Sequence, residues 1–107
     1  MAVLRLVQFK DYLKCLDDAR YYDAHEVLEA LWFPRRFEKS HEILLIKGFI
    51  NAAVSFELVK RGRIEASKRT WGNYLKYRMY LDEIAKKSPL YLIMASEVEQ
   101  LSRKLHV

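Results

Sequence analysis

The sequence predicts an all-α fold: a single antiparallel bundle of about five helices around a buried central helix at about 39–61. Three observations carry this. No segment alternates apolar and polar residues with period two for long enough to make a strand. Three Gly and two Pro in 107 residues are too few for a β-sandwich, which needs a turn signal roughly every ten residues. From Ile43 to Val59 the chain is apolar on nearly every side of a helical wheel, and such a helix must be surrounded by others. With 51% hydrophobic residues there is material for a core, and the length suits one helical domain over residues 1–107.

Residues 6–19 form the first helix, with Cys15 at a core-compatible position within Tyr12-Leu13-Lys14-Cys15-Leu16. The second runs over 22–33 and stops at Phe33-Pro34-Arg35, because proline disfavours helical geometry in the residue before it. The third, 39–61, closes at Arg61-Gly62, glycine being the usual residue just past a helix end. A fourth follows over 64–86. Ser88-Pro89 opens the fifth, 89–105, with serine as N-cap and proline at the first helical position.

The exceptions on the third helix are ordered. Lys47, Asn51 and Ser55 fall at i, i+4 and i+8, one narrow stripe, and Gly48 lies beside it, where a missing side chain permits close helix approach. Burying Lys47 or Asn51 unpaired would cost a few kcal/mol, so the stripe must meet water or partners. On the fourth helix Trp71, Tyr74, Tyr77, Leu81, Ile84 and Ala85 share one arc; Lys68, Arg69, Lys76 and Lys86 take the other, with Glu65 and Glu83 among them. On the fifth, Leu90, Ile93, Met94, Glu97, Val98, Leu101 and Leu105 mark the inner stripe, and Arg103 and Lys104 suit the negative end of the helix dipole.

The residues with the most chemistry sit on the second helix, in Tyr21-Tyr22-Asp23-Ala24-His25-Glu26-Val27-Leu28-Glu29-Ala30-Leu31-Trp32. Ala24, Val27, Leu28 and Leu31 make a core face. His25, Glu29 and Trp32 occupy the adjoining arc, with Tyr22 and Glu26 towards its edge. His25 and Glu29 stand at i, i+4, so both reach one point. H-E-x-x-H zinc proteases present two ligands at this spacing, with the glutamate as base; here the pattern is H-E-x-x-E. A catalytic zinc ordinarily has three protein ligands and an open position. The third would come from Glu26, from His41 or Glu42 at the start of the third helix, or from a second copy. The alternative is a satisfied polar network joining His25 and Glu29 to the Lys47/Asn51/Ser55 stripe.

Tyr22-Asp23-Ala24-His25-Glu26-Val27-Leu28-Glu29-Ala30-Leu31-Trp32 resembles the "YFEAHEvLEelW" signature of the family catalogued as domain of unknown function 309. The likeness continues in the third helix. There Lys47-Gly48-Phe49-Ile50-Asn51-Ala52-Ala53-Val54 stands where that family shows "QGLIQLAAA", and Lys60-Arg61-Gly62 where it shows "RRGN" before a Gly-Ala pair, with Ala66 at the final alanine. The matches span roughly residues 20–70. The resemblance implies a small prokaryotic helical protein of a kind sometimes labelled a predicted metal-dependent hydrolase. It implicates His25, Glu26, Glu29, Trp32, Gly48, Asn51 and Gly62. Lys47 replaces the usual Gln, Arg63 the Asn after the glycine, and Glu65 the following Gly. An ammonium from Lys47 near His25 would repel a divalent cation, yet it could neutralise Glu29. A divalent metal is therefore not the favoured occupant.

Other features read more plainly. The single cysteine excludes an internal disulfide, and Cys15 reads as a small buried hydrophobe. His41 and Glu42 fall in the first turn of the third helix, where an acid suits the dipole, and both read as capping or solvated residues. His106 is given no role. The N-terminus is too short for a signal-peptide core. The apolar stretch from Ile43 to Val59 is interrupted by Lys47, Asn51 and Glu57 and is short for a span of about 20 residues. A cytoplasmic protein without a membrane partner is expected.

The formal charge of +5 is unevenly placed. Lys60 to Lys87 holds nine Lys/Arg against three acids, and the remainder ten against eleven. Lys68, Arg69 and Lys76, interleaved with Trp71, Tyr74, Tyr77 and Tyr80, superficially resemble a nucleic-acid surface. The wheel turns most of those rings inward, and Glu65 and Glu83 dilute the charged face. Three readings stay open. The first and preferred is a binding or structural module with a pocket between helices two and three, lined by His25, Glu29, Trp32, Lys47, Gly48 and Asn51, in a monomer or homo-oligomer, its small-molecule ligand unidentified. The second is a metal-dependent hydrolase with His25 and Glu29 as ligands and Glu26 as base. The third is nucleic-acid binding through the 60–87 surface.

Overall fold

The all-α expectation holds in the computed structural model, which describes residues 2–107 and contains no strand among them. The helices are α1 (Leu6–Asp17), α2 (Tyr21–Trp32), α3 (His41–Lys60), α4 (Ile64–Tyr77), α5 (Leu81–Ala85) and α6 (Leu90–Leu105), with 3-10 turns at Phe33–Arg35 and Arg78–Tyr80. As its pattern requires, α3 is the centre. Ile43, Leu45, Ile46, Phe49, Ala52, Ala53 and Phe56 are fully buried, and α3 packs against α4, α2 and α6. Phe49 meets a ring from each of three other helices: Tyr12 of α1 at 6.3 Å, Tyr74 of α4 at 5.4 Å and Tyr91 of α6 at 6.0 Å. The buried Tyr12 hydroxyl donates to the Phe49 carbonyl at 2.8 Å, which satisfies both groups out of reach of water.

Several boundaries differ from the sequence reading, each for a local reason. The first helix stops at Asp17 because Ala19 takes a left-handed conformation (φ 57°), and the Arg20 N–H returns to the Cys15 carbonyl at 2.8 Å, the closure usually given to glycine. Lys39 is also left-handed (φ 54°), so α3 starts only after Ser40, whose side-chain oxygen accepts the Ile43 N–H. Gly62 ends α3 as expected, at φ 77°. The expected helix over 64–86 is two helices. At Arg78–Tyr80 the chain tightens, which sets the Tyr80 ring on His41 at 4.3 Å and the Arg78 guanidinium on Glu99 at 2.7 Å.

Ser88 does not cap the last helix: α6 is preceded by Pro89 and has no side-chain cap. Its inner stripe is also rotated from the expected one. Tyr91, Met94, Ala95, Val98 and Ser102 are buried, whereas Ile93 is exposed. Tyr91 takes the inward place, where its hydroxyl donates to the half-buried Glu42 at 2.6 Å. No helix of the described chain is long and apolar enough to cross a membrane.

Candidate functional site

The core face of α2 fixes the direction of its polar edge. Ala24 and Leu28 are fully buried, Val27 and Leu31 half-buried, and Tyr21 packs edge-on against Phe56 of α3 at 5.6 Å. With these turned inward, His25 lies at the margin, its side chain 18% exposed. Its Nε2 contacts the Glu29 carboxylate one turn on, its Nδ1 lies 3.5 Å from Glu26 Oε1, and the Tyr22 ring stands edge-on to it at 5.5 Å. One donor atom each from His25, Glu26 and Glu29 lies within 4.8 Å of the others, the one such His/Cys/Asp/Glu group among the described residues.

The residues expected to share one pocket divide between two neighbourhoods. Trp32, Lys47 and Tyr77 form one, the Lys47 ammonium lying 5.8 Å from the Trp32 ring centroid and 5.6 Å from that of Tyr77. The cation is held by two aromatic faces and forms no ion pair with Glu29. Asn51 donates to the Lys47 carbonyl at 2.8 Å and accepts from Asn73 of α4 at 3.2 Å. Ser55 donates to the Ala52 carbonyl. The anticipated hydrogen-bonded network from His25 and Glu29 to this stripe is therefore not formed, because each stripe residue finds its partner on its own backbone, on α4 or on a ring. Gly48 permits a close approach of α3 and α4: a Cβ there would lie 2.9 Å from Tyr77 Cβ.

The sequence profile of the family described as Domain of unknown function (DUF309) matches residues 9–70, more than half of the chain and all of α2 and α3. The chain belongs to the DUF309 family. No match was found among curated proteins or among solved structures. The DUF309 match includes the His25–Glu26–Glu29 group, Trp32, Gly48 and Gly62 and ends within α4.

Beside His25 this DUF309 member has a cavity of about 200 Å3 lined by Tyr22, His25, Val54, Glu57, Leu58 and Arg61. Its α3 wall is a stripe at i, i+3, i+4 and i+7. In the sequence that stripe is masked by the more conspicuous interruptions at Lys47, Asn51 and Ser55. Glu57 and Arg61 close that wall as an ion pair at 2.9 Å. A larger cavity, about 490 Å3, lies at the start of α3 among Val3, Arg35, His41, Glu42, Glu83, Lys87 and Ser88.

His41 and Glu42, alternatives for a third metal ligand, are committed elsewhere. His41 Nδ1 lies 2.8 Å from Glu83 Oε1. Glu42 Oε2 accepts from the Val3 N–H at 2.9 Å, the Leu4 N–H at 3.3 Å and the Tyr91 hydroxyl at 2.6 Å. Rather than a solvated cap residue, Glu42 ties the N-terminal segment and α6 to α3, and burial with that hydrogen bond pushes the Tyr91 phenol up. Cys15 is buried as expected, and burial raises its thiol. Lys68, Arg69 and Lys76 are exposed, while Trp71 and Tyr74 are buried and stacked on each other at 4.6 Å, so the 60–87 face offers cations without those rings.

Proposed function

We propose that the chain is a binding module whose site is the polar edge of α2, with a divalent transition-metal ion held by His25, Glu26 and Glu29. The observation that carries this is the convergence of their three donor atoms within 4.8 Å on one helical turn. One imidazole nitrogen and two carboxylate oxygens are a borderline donor set suited to zinc or manganese. Ligands about 2.1 Å from a common ion stand about 3.4 Å apart in a tetrahedron, and the two glutamates are exposed enough to close that difference by changing rotamer. The position of Lys47 supports the reading too: its ammonium is held by the Trp32 and Tyr77 rings and forms no ion pair with Glu26 or Glu29.

The hydrolase reading is weaker on the same geometry. Glu26 is needed either as the third donor or to hold the imidazole's other nitrogen. In either role it is not free to serve as the general base, and His41 and Glu42 are not free to replace it. Bound metal would polarise a coordinated group, while these residues bind and orient.

Zinc or manganese titration followed by thermal unfolding tests the reading. A ligand at a hundredfold excess over its Kd adds about 2.7 kcal/mol, so the wild type gains several degrees of Tm, whereas His25→Ala and Glu29→Gln gain none. Affinity also falls in acid, since the donors must be deprotonated to bind. An absent shift, or equal shifts in the variants, overturns it.

A further inference from the structure

Rings far more exposed than Trp71 and Tyr74 occur on the turn between α2 and α3. Phe37 is 80% exposed and Phe33 52%. Two phenylalanines so placed contribute little to the core, and a large exposed apolar group beside like neighbours marks an interaction surface. They are also ordered: the Arg36 guanidinium lies 3.8 Å from the Phe33 ring centroid and 4.5 Å from that of Phe37, and its Nη1 donates to the Phe33 carbonyl at 2.6 Å. The turn is cationic, with Arg35, Arg36 and Lys39 against Glu38 alone. Next to it along α2 comes Trp32, linked through Lys47 to Tyr77, over which Lys76 lies at 5.3 Å. Arg35 is paired with Glu38, but among the described residues Arg36, Lys39, Lys47 and Lys76 have no carboxylate within ion-pair distance.

We infer that this end of the bundle binds single-stranded nucleic acid, with bases stacking on Phe33 and Phe37 and phosphates meeting Arg36, Lys39, Lys47 and Lys76. Fixed aromatic faces interleaved with unpaired cations are what a sequence-tolerant single-strand surface needs: the rings take any base, and the cations follow the backbone. An acidic protein segment would use the cations but has no need of two exposed rings. The inference does not depend on the metal site, whose donors His25, Glu26 and Glu29 lie on the middle turns of α2.

Fluorescence anisotropy with a labelled dodecamer of deoxythymidine tests it. Binding at low salt is expected, with a log–log salt slope between about −1 and −3 for up to four neutralised phosphates. Phe37→Ala should weaken binding at least about fivefold, the lower bound for one lost base stack, and Arg36→Gln/Lys39→Gln should flatten the slope. Phe37 is exposed enough that its loss leaves the fold intact, which circular dichroism would verify. Lys68→Gln/Arg69→Gln, about two turns of α4 away from Lys76, should leave affinity unchanged. No binding at low salt, full binding by Phe37→Ala, loss through Lys68→Gln/Arg69→Gln, or Phe37-dependent binding to phosphatidylglycerol vesicles in place of the oligonucleotide would each overturn it.

Discussion

Two glycines on the same face-to-face logic give opposite expectations. At Gly48 a methyl group would meet Tyr77 Cβ at 2.9 Å, and a Cβ cannot swing away without its backbone. Overpacking of this kind costs about 1–3 kcal/mol, and the better helix propensity of alanine returns about 1 kcal/mol. Gly48→Ala should therefore destabilise by about 1 kcal/mol in urea unfolding, and an unchanged or higher midpoint would refute the close approach. Gly72, mid-helix with nothing within 4 Å of an added Cβ, should gain about 1 kcal/mol as alanine. Glu99 supplies the acid-sensitive contact. Burial alone would raise its pKa, but hydrogen bonds from Arg78 and Tyr74 outweigh that and hold it below its ordinary value of 4.5. Because the folded value is the lower one, the stabilisation is complete above about pH 4.5 and is lost as pH falls through the folded value. Wild type should thus lead Glu99→Gln in stability at pH 6 and lose much of that lead by pH 3; a lead independent of pH would remove Glu99 from the acid response. The sequence made Gly48 legible because a glycine beside a polar stripe has few other uses. Glu99 and Glu42 were not legible, since their partners lie 21 to 49 residues away and no local pattern announces them.

At the scale of elements, periodicity found the helical stretches but ran α4 and α5 together, and turn chemistry decided the errors. The central helix was readable because it is apolar all round, and the Gly62 stop because glycine advertises a left-handed residue. The Ala19 and Lys39 stops were hidden, as neither residue type announces positive φ. That conformation costs an L-residue about 1–2 kcal/mol, and glycine loses about 0.5–1 kcal/mol by its freer unfolded chain. Ala19→Gly should accordingly stabilise by a few tenths to about 1 kcal/mol, measured as a higher denaturant midpoint; a lower one would mean that α1 is not closed by this turn. The break at Arg78–Tyr80 escaped notice because a tightened turn without proline or glycine leaves the apolar arc intact. On α2, spacing alone brought His25 and Glu29 together, whereas the neighbours of Lys47 depended on where α4 lies.

For the molecule as a whole, α3 behaves as an axle, and Phe49 is where α1, α4 and α6 meet it. Truncating a fully buried phenylalanine costs about 3–5 kcal/mol, against a total of about 5–15 kcal/mol for a domain. Phe49→Ala should therefore lower the unfolding midpoint severely or leave the protein unfolded at 25 °C, and a loss below about 1.5 kcal/mol would show that the three rings repack without it. The charge distribution was also legible in part. Locating the excess at 60–87 was simple counting, and the wheel rightly sent Trp71 and Tyr74 inward. It could not show that Phe33 and Phe37, on a short turn with no period, would remain outside.

The two tryptophans occupy contrasting surroundings, Trp71 buried against Phe56 and Tyr74 and Trp32 at the margin beneath the Lys47 ammonium. Their emission should separate accordingly. Trp71 should fluoresce blue and resist acrylamide, while Trp32 should emit further to the red and be quenched. One unlabelled sample can then report the interior and the α2–α3 edge independently, so that an event at that edge is distinguishable from unfolding.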